Sequence, residues 1–163
     1  DDMFTDIRNL ATIFGVPERA EALIADWQTE LAEIATTIPS GEPLRVFVYD
    51  SGEDTPFTAG RYAMPTAMIE AAGGRNIMDD VESSWTRVAW EPVVERNPEV
   101  IVIVNYGDVT AGQKVDFLRA NPAFATVDAV INSRFVVLEY VEATPGPRNS
   151  AAIQALATAF HGN

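Results

Sequence analysis

The feature that most constrains the fold is an uninterrupted apolar run at residues 100–104, Val-Ile-Val-Ile-Val. A strand with one face in water alternates apolar and polar residues, whereas this run has no polar position. Continuous hydrophobicity is typical of a strand that is covered on both faces. The run therefore predicts a central strand of a mainly parallel sheet.

Two further segments, residues 45–50 and 135–139, have the composition of buried strands. Apolar residues at helical spacing, interrupted by Gly and Pro, predict the remaining elements. These are helices at residues 65–72, 90–96, 113–120, 127–131 and 152–160. Strands that alternate with helices favour an α/β fold, here a three-layer α/β/α lobe with a mainly parallel sheet.

The N-terminal quarter of the chain is expected to be helical only. A short helix that ends at Gly15 is followed by a longer one that begins at Pro17. The apolar stripe of this second helix extends over roughly six turns, up to a Pro-Ser-Gly-Glu-Pro break. We therefore divide the chain into a helical arm, residues 1–40, which includes this long linking helix, and an α/β lobe, residues 41–163.

Composition excludes several classes of function. The net charge of −13 repels phosphate backbones, so nucleic acid is not an expected partner. Cysteine is absent, and the single histidine, His161, is expected at an exposed, frayed terminus. These absences exclude disulfides, thiol catalysis, a Ser-His-Asp triad and a multi-histidine metal site within this chain, and we predict no metal site and no cofactor. The abrupt start, without a signal peptide, indicates a piece of a longer protein.

Aromatic and basic side chains follow three of the predicted strands. Ligands of doubly wound sheets bind at the carboxyl ends of strands. The candidate ligand-binding residues are Arg61, Tyr62, Tyr106, Tyr140 and Arg148. Aromatics and arginines on one rim suit a large, partly anionic, planar or chelated ligand. The alternative is that these are ordinary polar residues of loop tips.

The acidic residues of the loops fit no EF-hand and no glycosidase carboxylate pair, so we interpret them as solvated charge. They are Asp50, Glu53, Asp54, Asp79, Asp80 and Glu82. Residues 146–150, Gly-Pro-Arg-Asn-Ser, open a helix. That helix N-terminus suits an anionic ligand or simple capping equally well.

Four segments carry a family resemblance when they are taken in order. They are residues 6–34, the Ile-Glu-Ala-Ala-Gly-Gly-Arg-Asn-Ile stretch at 69–77, Trp85-x-x-Val88-x-x-Glu91, and Asn-Pro-Glu-Val-Ile-Val at 97–102. Together they resemble the iron-siderophore and cobalamin class of ABC-importer solute-binding proteins. The resemblance covers nearly the whole chain, but only the second half of a complete member. It implies two lobes joined by one long, rigid helix, with this chain as that helix and the C-terminal lobe.

The same resemblance implies a non-enzymatic, extracytoplasmic component of an importer, either periplasmic or a lipid-anchored lipoprotein. It would bind an iron-siderophore in the cleft between the lobes and deliver it to the permease. The five candidate residues would form one wall of that cleft, and Glu91 would dock on the permease. Alternatives are a receptor for cobalamin, haem or a bare metal ion on the same scaffold, or an enzyme domain on a doubly wound sheet. We expect the isolated lobe to form a homodimer through its bare cleft face.

Overall fold

A computed structural model describes residues 2–162 of the chain. The strands are β1 (Leu44–Tyr49), β2 (Phe57–Ala59), β3 (Gly74–Asn76), β4 (Trp85–Arg87), β5 (Val100–Asn105) and β6 (Phe135–Glu139). The α-helices are α1 (Asp2–Phe14), α2 (Pro17–Thr37), α3 (Met64–Ala71), α4 (Trp90–Arg96), α5 (Ala111–Ala120), α6 (Asp128–Ile131) and α7 (Asn149–His161). A short 3-10 helix, Pro122–Phe124, lies between α5 and α6.

The main sheet is parallel throughout and has the strand order β3-β1-β5-β6. The predicted α/β lobe with a mainly parallel sheet is thus confirmed, with the uninterrupted apolar run in β5, a central strand. The sequence did not predict β2 and β4, which pair antiparallel, or β3 at the edge of the main sheet. Each of these three strands has only three residues, too few to show a period.

The sheet separates two apolar layers, because successive side chains of a strand point to opposite faces. Val46 and Val48 of β1 pack on one face, with α3 and α7. Phe47 and Tyr49 pack on the other face, with α4, α5 and α6. The helices therefore cover both faces of the sheet, which gives the three layers expected from the sequence.

The long helix α2 contacts both α1 and the lobe. Leu31 and Ile34, near its C-terminal end, pack into the layer that contains α3 and α7. Near its N-terminal end, Glu21 forms an ion pair of 2.8 Å with Arg8 of α1. The division into an arm of residues 1–40 and a lobe of residues 41–163 stays a prediction, and its outermost residues, 1 and 163, lie outside the described chain.

The expectation for His161 was wrong. His161 is the last residue of α7 and is half-buried, with Nε2 3.0 Å from the carbonyl oxygen of Ala72. Its neighbour Phe160 packs in the core, so the helix end is fixed against the end of α3 rather than frayed. Within residues 2–162, no helix combines the length and apolar character needed to cross a membrane.

Candidate functional site

The carboxyl ends of the four parallel strands lie at one edge of the main sheet, which we call the carboxyl edge. Helices that follow parallel strands begin at this edge, so the N-termini of α3, α5 and α7 lie there too. From β1 the chain continues to β3, the neighbour of β1 on one side, and then to β5, its neighbour on the other side. This reversal of direction beside β1 is a topological switch point, where doubly wound sheets bind ligands.

Two of the five predicted ligand-binding residues, Tyr106 and Tyr140, lie against each other at the carboxyl edge. Their ring centroids are 4.4 Å apart with an angle of 24° between the planes, so the rings are stacked. They follow β5 and β6, and 53% and 47% of their surfaces remain exposed. The pair therefore presents a flat aromatic surface to the space above the sheet.

Asn105 fixes the ends of β5 and β6, which the two tyrosines directly follow. Its Nδ2 donates to both carboxylate oxygens of Glu139, at 3.0 and 3.1 Å, and joins the ends of β5 and β6. Its Oδ1 accepts a hydrogen bond from the backbone N–H of Ala111 at 3.3 Å. Thr110 and Gln113 complete a capping box at the start of α5. The loop after β5 is therefore held at both of its ends.

Lys114, the only lysine in the chain, is 2% exposed and lies beneath this loop. Its Nζ donates to the carbonyl oxygens of Val104 at 2.7 Å and of Tyr106 at 2.9 Å. Burial lowers the pKa of the ammonium, and the negative charge of Asp50 opposes that shift. The sequence analysis missed this residue, although a single lysine in so acidic a chain was a signal that it has a specific partner.

Arg61 and Tyr62 lie in the turn before α3. Arg61 Nε donates to the carbonyl oxygen of Asp79 at 2.7 Å, and its guanidinium is 3.7 Å from Glu82. Tyr62 is 63% exposed. Both residues line a groove of about 540 Å³ between the helical arm and the lobe, together with Phe4, Trp27, Met64, Gly146 and Ser150. Arg61 thus has protein partners already, whereas Tyr62 is free to contact a ligand.

The segment that resembles Ala-Gly-Gly-x-Asn has a structural role in this lobe, because its asparagine is buried and hydrogen-bonded. Asn76 Nδ2 donates to the carbonyl oxygen of Ala59 at 2.8 Å and to the Thr66 hydroxyl at 2.7 Å. The Thr66 hydroxyl donates in turn to the carbonyl oxygen of Gly60. At Gly74 an added Cβ would approach side chains of β1, α3 and α7 to 3.0 Å or less. The motif therefore packs β3 closely and positions the turn that carries Arg61 and Tyr62.

At the start of α7, Asn149 is buried and hydrogen-bonded, whereas Arg148 is exposed. Asn149 is 2% exposed and donates to the carbonyl oxygens of Glu142 and Thr144, while its Oδ1 accepts from the N–H of Gly146. This asparagine orders the loop after β6, which is a structural role that the sequence analysis missed. Arg148 is exposed and forms no ion pair or side-chain hydrogen bond within residues 2–162.

Glu91 is exposed in the first turn of α4 and has no ion-pair partner in the described part of the chain. Ala89 offers no side-chain cap, and Pro92 is accommodated in the first turn of the helix. The neighbouring Trp90 fixes this end of the helix. Its Nε1 donates to the carbonyl oxygen of Glu53 at 2.6 Å, and its ring packs edge-on against Phe124.

The acidic residues of the loops differ in their surroundings, since some form ion pairs and one is buried. Asp79 and Asp80 form ion pairs with Arg75 and Arg96 at 2.7 Å, and the Arg96 hydrogen bonds lower the pKa of Asp80. Asp50 is 7% exposed, so its interpretation as solvated charge was wrong. Across residues 2–162, no three His, Asp or Glu side chains are grouped in a way that could bind a metal ion.

Comparison with known proteins places this geometry in a family. A sequence profile described as periplasmic binding protein matches residues 1–141. The vitamin B12-binding protein of Pectobacterium atrosepticum is 30% identical over 116 residues, 68% of this chain and 41% of that protein. The cobalamin-binding protein of Halobacterium salinarum is 32% identical over 151 residues, 87% of this chain and 39% of that protein.

A solved structure gives the same result. A periplasmic binding protein from Veillonella parvula superposes with a TM-score of 0.89 and 33% identity, over 99% of this chain and 56% of that chain. The chain spans about two fifths of the length of the curated relatives described above. Since the profile covers most of the sequence and the fold agrees almost end to end, the chain belongs to the periplasmic binding protein family.

Proposed function

We propose that this chain is one lobe, with the linking helix, of an extracytoplasmic solute receptor that delivers its ligand to an ABC importer. The ligand would lie on the carboxyl edge and be enclosed by a second lobe. The observation that carries this proposal is the exposed Tyr106–Tyr140 stack on a rigid sheet edge. An aromatic surface of this kind binds a planar or macrocyclic ligand through its faces and edges.

The ligand class we propose is a cobalamin-type corrinoid. The two curated relatives described above are named for vitamin B12 and cobalamin, and each is at least 30% identical to this chain. The sequence analysis favoured an iron-siderophore, and that ligand and haem are the alternatives against which the proposal is tested. Arg148, which has no protein partner for its guanidinium in residues 2–162, is free to contact a polar group at the rim of such a ligand.

Delivery to the permease would use Glu91. An exposed carboxylate without an intramolecular partner loses little when it pairs with an arginine of another protein. The hydrogen bond from Trp90 to Glu53 and the packing of Trp90 on Phe124 keep this helix end in one position. A helix end that is fixed in this way supports the docking role. A mobile docking segment would lose more conformational entropy when it bound the permease.

Calorimetric titration of the complete gene product that contains these residues tests the ligand. Cyanocobalamin, a ferric hydroxamate and haemin are titrated separately, and we expect saturable binding of cyanocobalamin only. Tyr106→Ala and Tyr140→Ala should each weaken that binding about 2- to 12-fold, since an aromatic contact contributes about 0.5–1.5 kcal/mol beyond burial. Ile131→Ala is the matched control, because Ile131 is 60% exposed but lies before the amino end of β6. Tight binding of haemin or the hydroxamate instead would replace the proposed ligand.

A further inference from the structure

Asp50 is a buried carboxylate that no protein group uses. It directly follows β1, and its backbone N–H donates to the carbonyl oxygen of Phe57 at 3.0 Å. Although only 7% of the residue is exposed, its side chain has no hydrogen bond or ion pair within residues 2–162. No side-chain oxygen or nitrogen in that range is both sealed from solvent and unpaired. The carboxylate oxygens of Asp50 must therefore reach solvent-accessible space.

The position of Asp50 in the fold explains where that space lies. The connection from β1 to β3 uses α3 on one face of the sheet, whereas the connection on to β5 uses α4 on the other face. Helices that diverge in this way leave a crevice at the carboxyl ends of β1 and β5. Tyr49 pairs with Ile103 in register, so Asp50 comes level with Val104, just before Asn105 and Tyr106. Asp50 is therefore at the floor of the proposed ligand site.

One cation, Lys114, interacts with Asp50 at a distance and does not occupy its oxygens. Lys114 and Asp50 interact electrostatically, but no nitrogen–oxygen distance of 4.0 Å or less joins them. The ammonium instead donates to the carbonyl oxygens of Val104 and Tyr106. A carboxylate accepts hydrogen bonds and donates none, so Asp50 offers acceptor positions to whatever enters the crevice.

We propose that Asp50 accepts a hydrogen bond from an N–H or O–H group of the bound ligand, and that it selects neutral, donor-bearing ligands over polyanionic ones. This inference rests on the proposed function and specifies its chemistry. A corrinoid with peripheral amide groups supplies such donors. The carboxylates of haem, or the negative charges of a catecholate complex, would face an unpaired charge of the same sign in a poorly solvated site.

A purely structural role for Asp50 makes a different prediction. A side chain that stabilised the turn after β1 would need hydrogen bonds from its oxygens to that turn, and within residues 2–162 Asp50 makes none. Replacing one carboxylate oxygen by an amide nitrogen should then leave the turn intact, and its structural cost is limited to the lost electrostatic interaction with Lys114. A role in ligand selection instead changes which ligands bind.

The experiment is calorimetric titration of Asp50→Asn in the complete gene product with cyanocobalamin and with haemin. We expect about 10-fold weaker binding of cyanocobalamin, because the amide oxygen of the asparagine still accepts the hydrogen bond but the bond is no longer charge-assisted. Haemin, which should not saturate the unmodified protein, should bind the variant more tightly because the charge that repels its carboxylates is removed, and no gain in haemin binding would contradict the proposed selection against polyanions. Asp116→Asn is the matched control, since it removes the same charge from an exposed position on α5 and should change the affinity for cyanocobalamin less than about 2-fold.

A ligand-side measurement on the unmodified protein keeps the inference testable if Asp50→Asn does not fold. Cyanocobalamin derivatives in which a single peripheral amide is replaced by a carboxylate are titrated one at a time. At least one should bind about 10-fold or more weakly than cyanocobalamin itself, because its carboxylate faces Asp50. Equal affinity for all the derivatives would overturn the inference.

The two proposals fail in distinguishable ways. If the unmodified protein binds cyanocobalamin and a folded Asp50→Asn variant binds it equally well, the role of Asp50 is refuted and the proposed function stands. If the unmodified protein binds no corrinoid, the proposed ligand class is refuted and the role of Asp50 falls with it, whereas the receptor function is refuted only if none of the three ligands binds. Thermal unfolding of each variant establishes that it is folded before titration.

Discussion

Lys114→Met should destabilise the lobe by about 2–4 kcal/mol. Methionine keeps the length and the apolar stem of the side chain but removes the ammonium donor from the carbonyl oxygens of Tyr106 and of Val104, the latter of which keeps the N–H of Tyr106 as a donor. A hydrogen bond from a charged donor contributes about 1.5–3 kcal/mol, so two bonds give roughly 3–6 kcal/mol. Part of this is offset, because the variant no longer buries an ammonium, whose pKa is lowered by that burial. Since domains have about 5–15 kcal/mol of stability, the variant should still fold.

Urea denaturation followed by tryptophan fluorescence measures this difference at neutral pH. Arg119→Met is the matched control, because Arg119 is an exposed cation on the same helix and contacts only the ring of Phe135, at 5.3 Å. We expect the control to change the free energy of unfolding by less than about 1 kcal/mol. Equal midpoints for Lys114→Met and the unmodified protein, with equal denaturant slopes, would refute the argument that these hydrogen bonds stabilise the carboxyl edge.

The pH dependence provides a second check on the same residue. The pKa of Lys114 is lower in the folded state than its ordinary value of 10.5, so the unfolded chain binds an extra proton between the two values. Stability therefore rises with pH across that window in the unmodified protein and lacks this rise in Lys114→Met. Burial also raises the pKa of Tyr49 to about 12, so stability falls as the pH rises from about 10. The unmodified protein and Lys114→Met share this effect, so it cancels in the comparison between them.

Further predictions concern three other parts of the chain and its assembly. Asn149→Ala should destabilise the lobe by about 2–3 kcal/mol in urea denaturation, because the buried amide is lost and two partly buried carbonyl oxygens, of Glu142 and Thr144, lose their donor. Asp80→Asn should cost less than about 1 kcal/mol at pH 7, and this cost should vanish as the pH falls through the lowered pKa of Asp80, since the exposed Arg96 pair stabilises only while Asp80 is ionised. Glu91→Gln should abolish uptake in a transport assay while ligand binding is unchanged, and unaltered uptake would contradict the docking role. The isolated chain should form a homodimer in light scattering at high concentration, and a monomeric mass would contradict that expectation.

The local sequence pattern predicted candidate ligand-binding residues usefully only at exposed strand ends, where the type of residue alone indicates a possible ligand contact. Tyr106 and Tyr140 were both predicted at strand ends, and they lie together because β5 and β6 are adjacent. Arg61 was predicted with equal weight, yet it already pairs with Asp79 and Glu82. Whether an arginine is free or paired depends on loops distant in sequence, which no local pattern describes.

The amino-acid sequence by itself determined the class of fold and its elements. An uninterrupted apolar run such as β5 requires cover on both faces, and the helical spacing around it supplies that cover. Proline and glycine breaks also located the long helix α2 to within a few residues. These are local consequences of backbone geometry and burial, so they can be predicted without knowledge of the tertiary structure.

Only the tertiary structure decided which polar side chains serve the fold and which remain available. Asp50 and Asp54 look alike in the sequence, but Asp50 is buried at the switch point and Asp54 is solvated. Lys114 lies beneath the loop after β5 because α5 folds back against the strand that precedes it, a packing contact that the spacing of residues does not show. The physical reason is that burial and hydrogen-bond partners arise from segments distant in the chain, whereas sequence periodicity reports only on near neighbours.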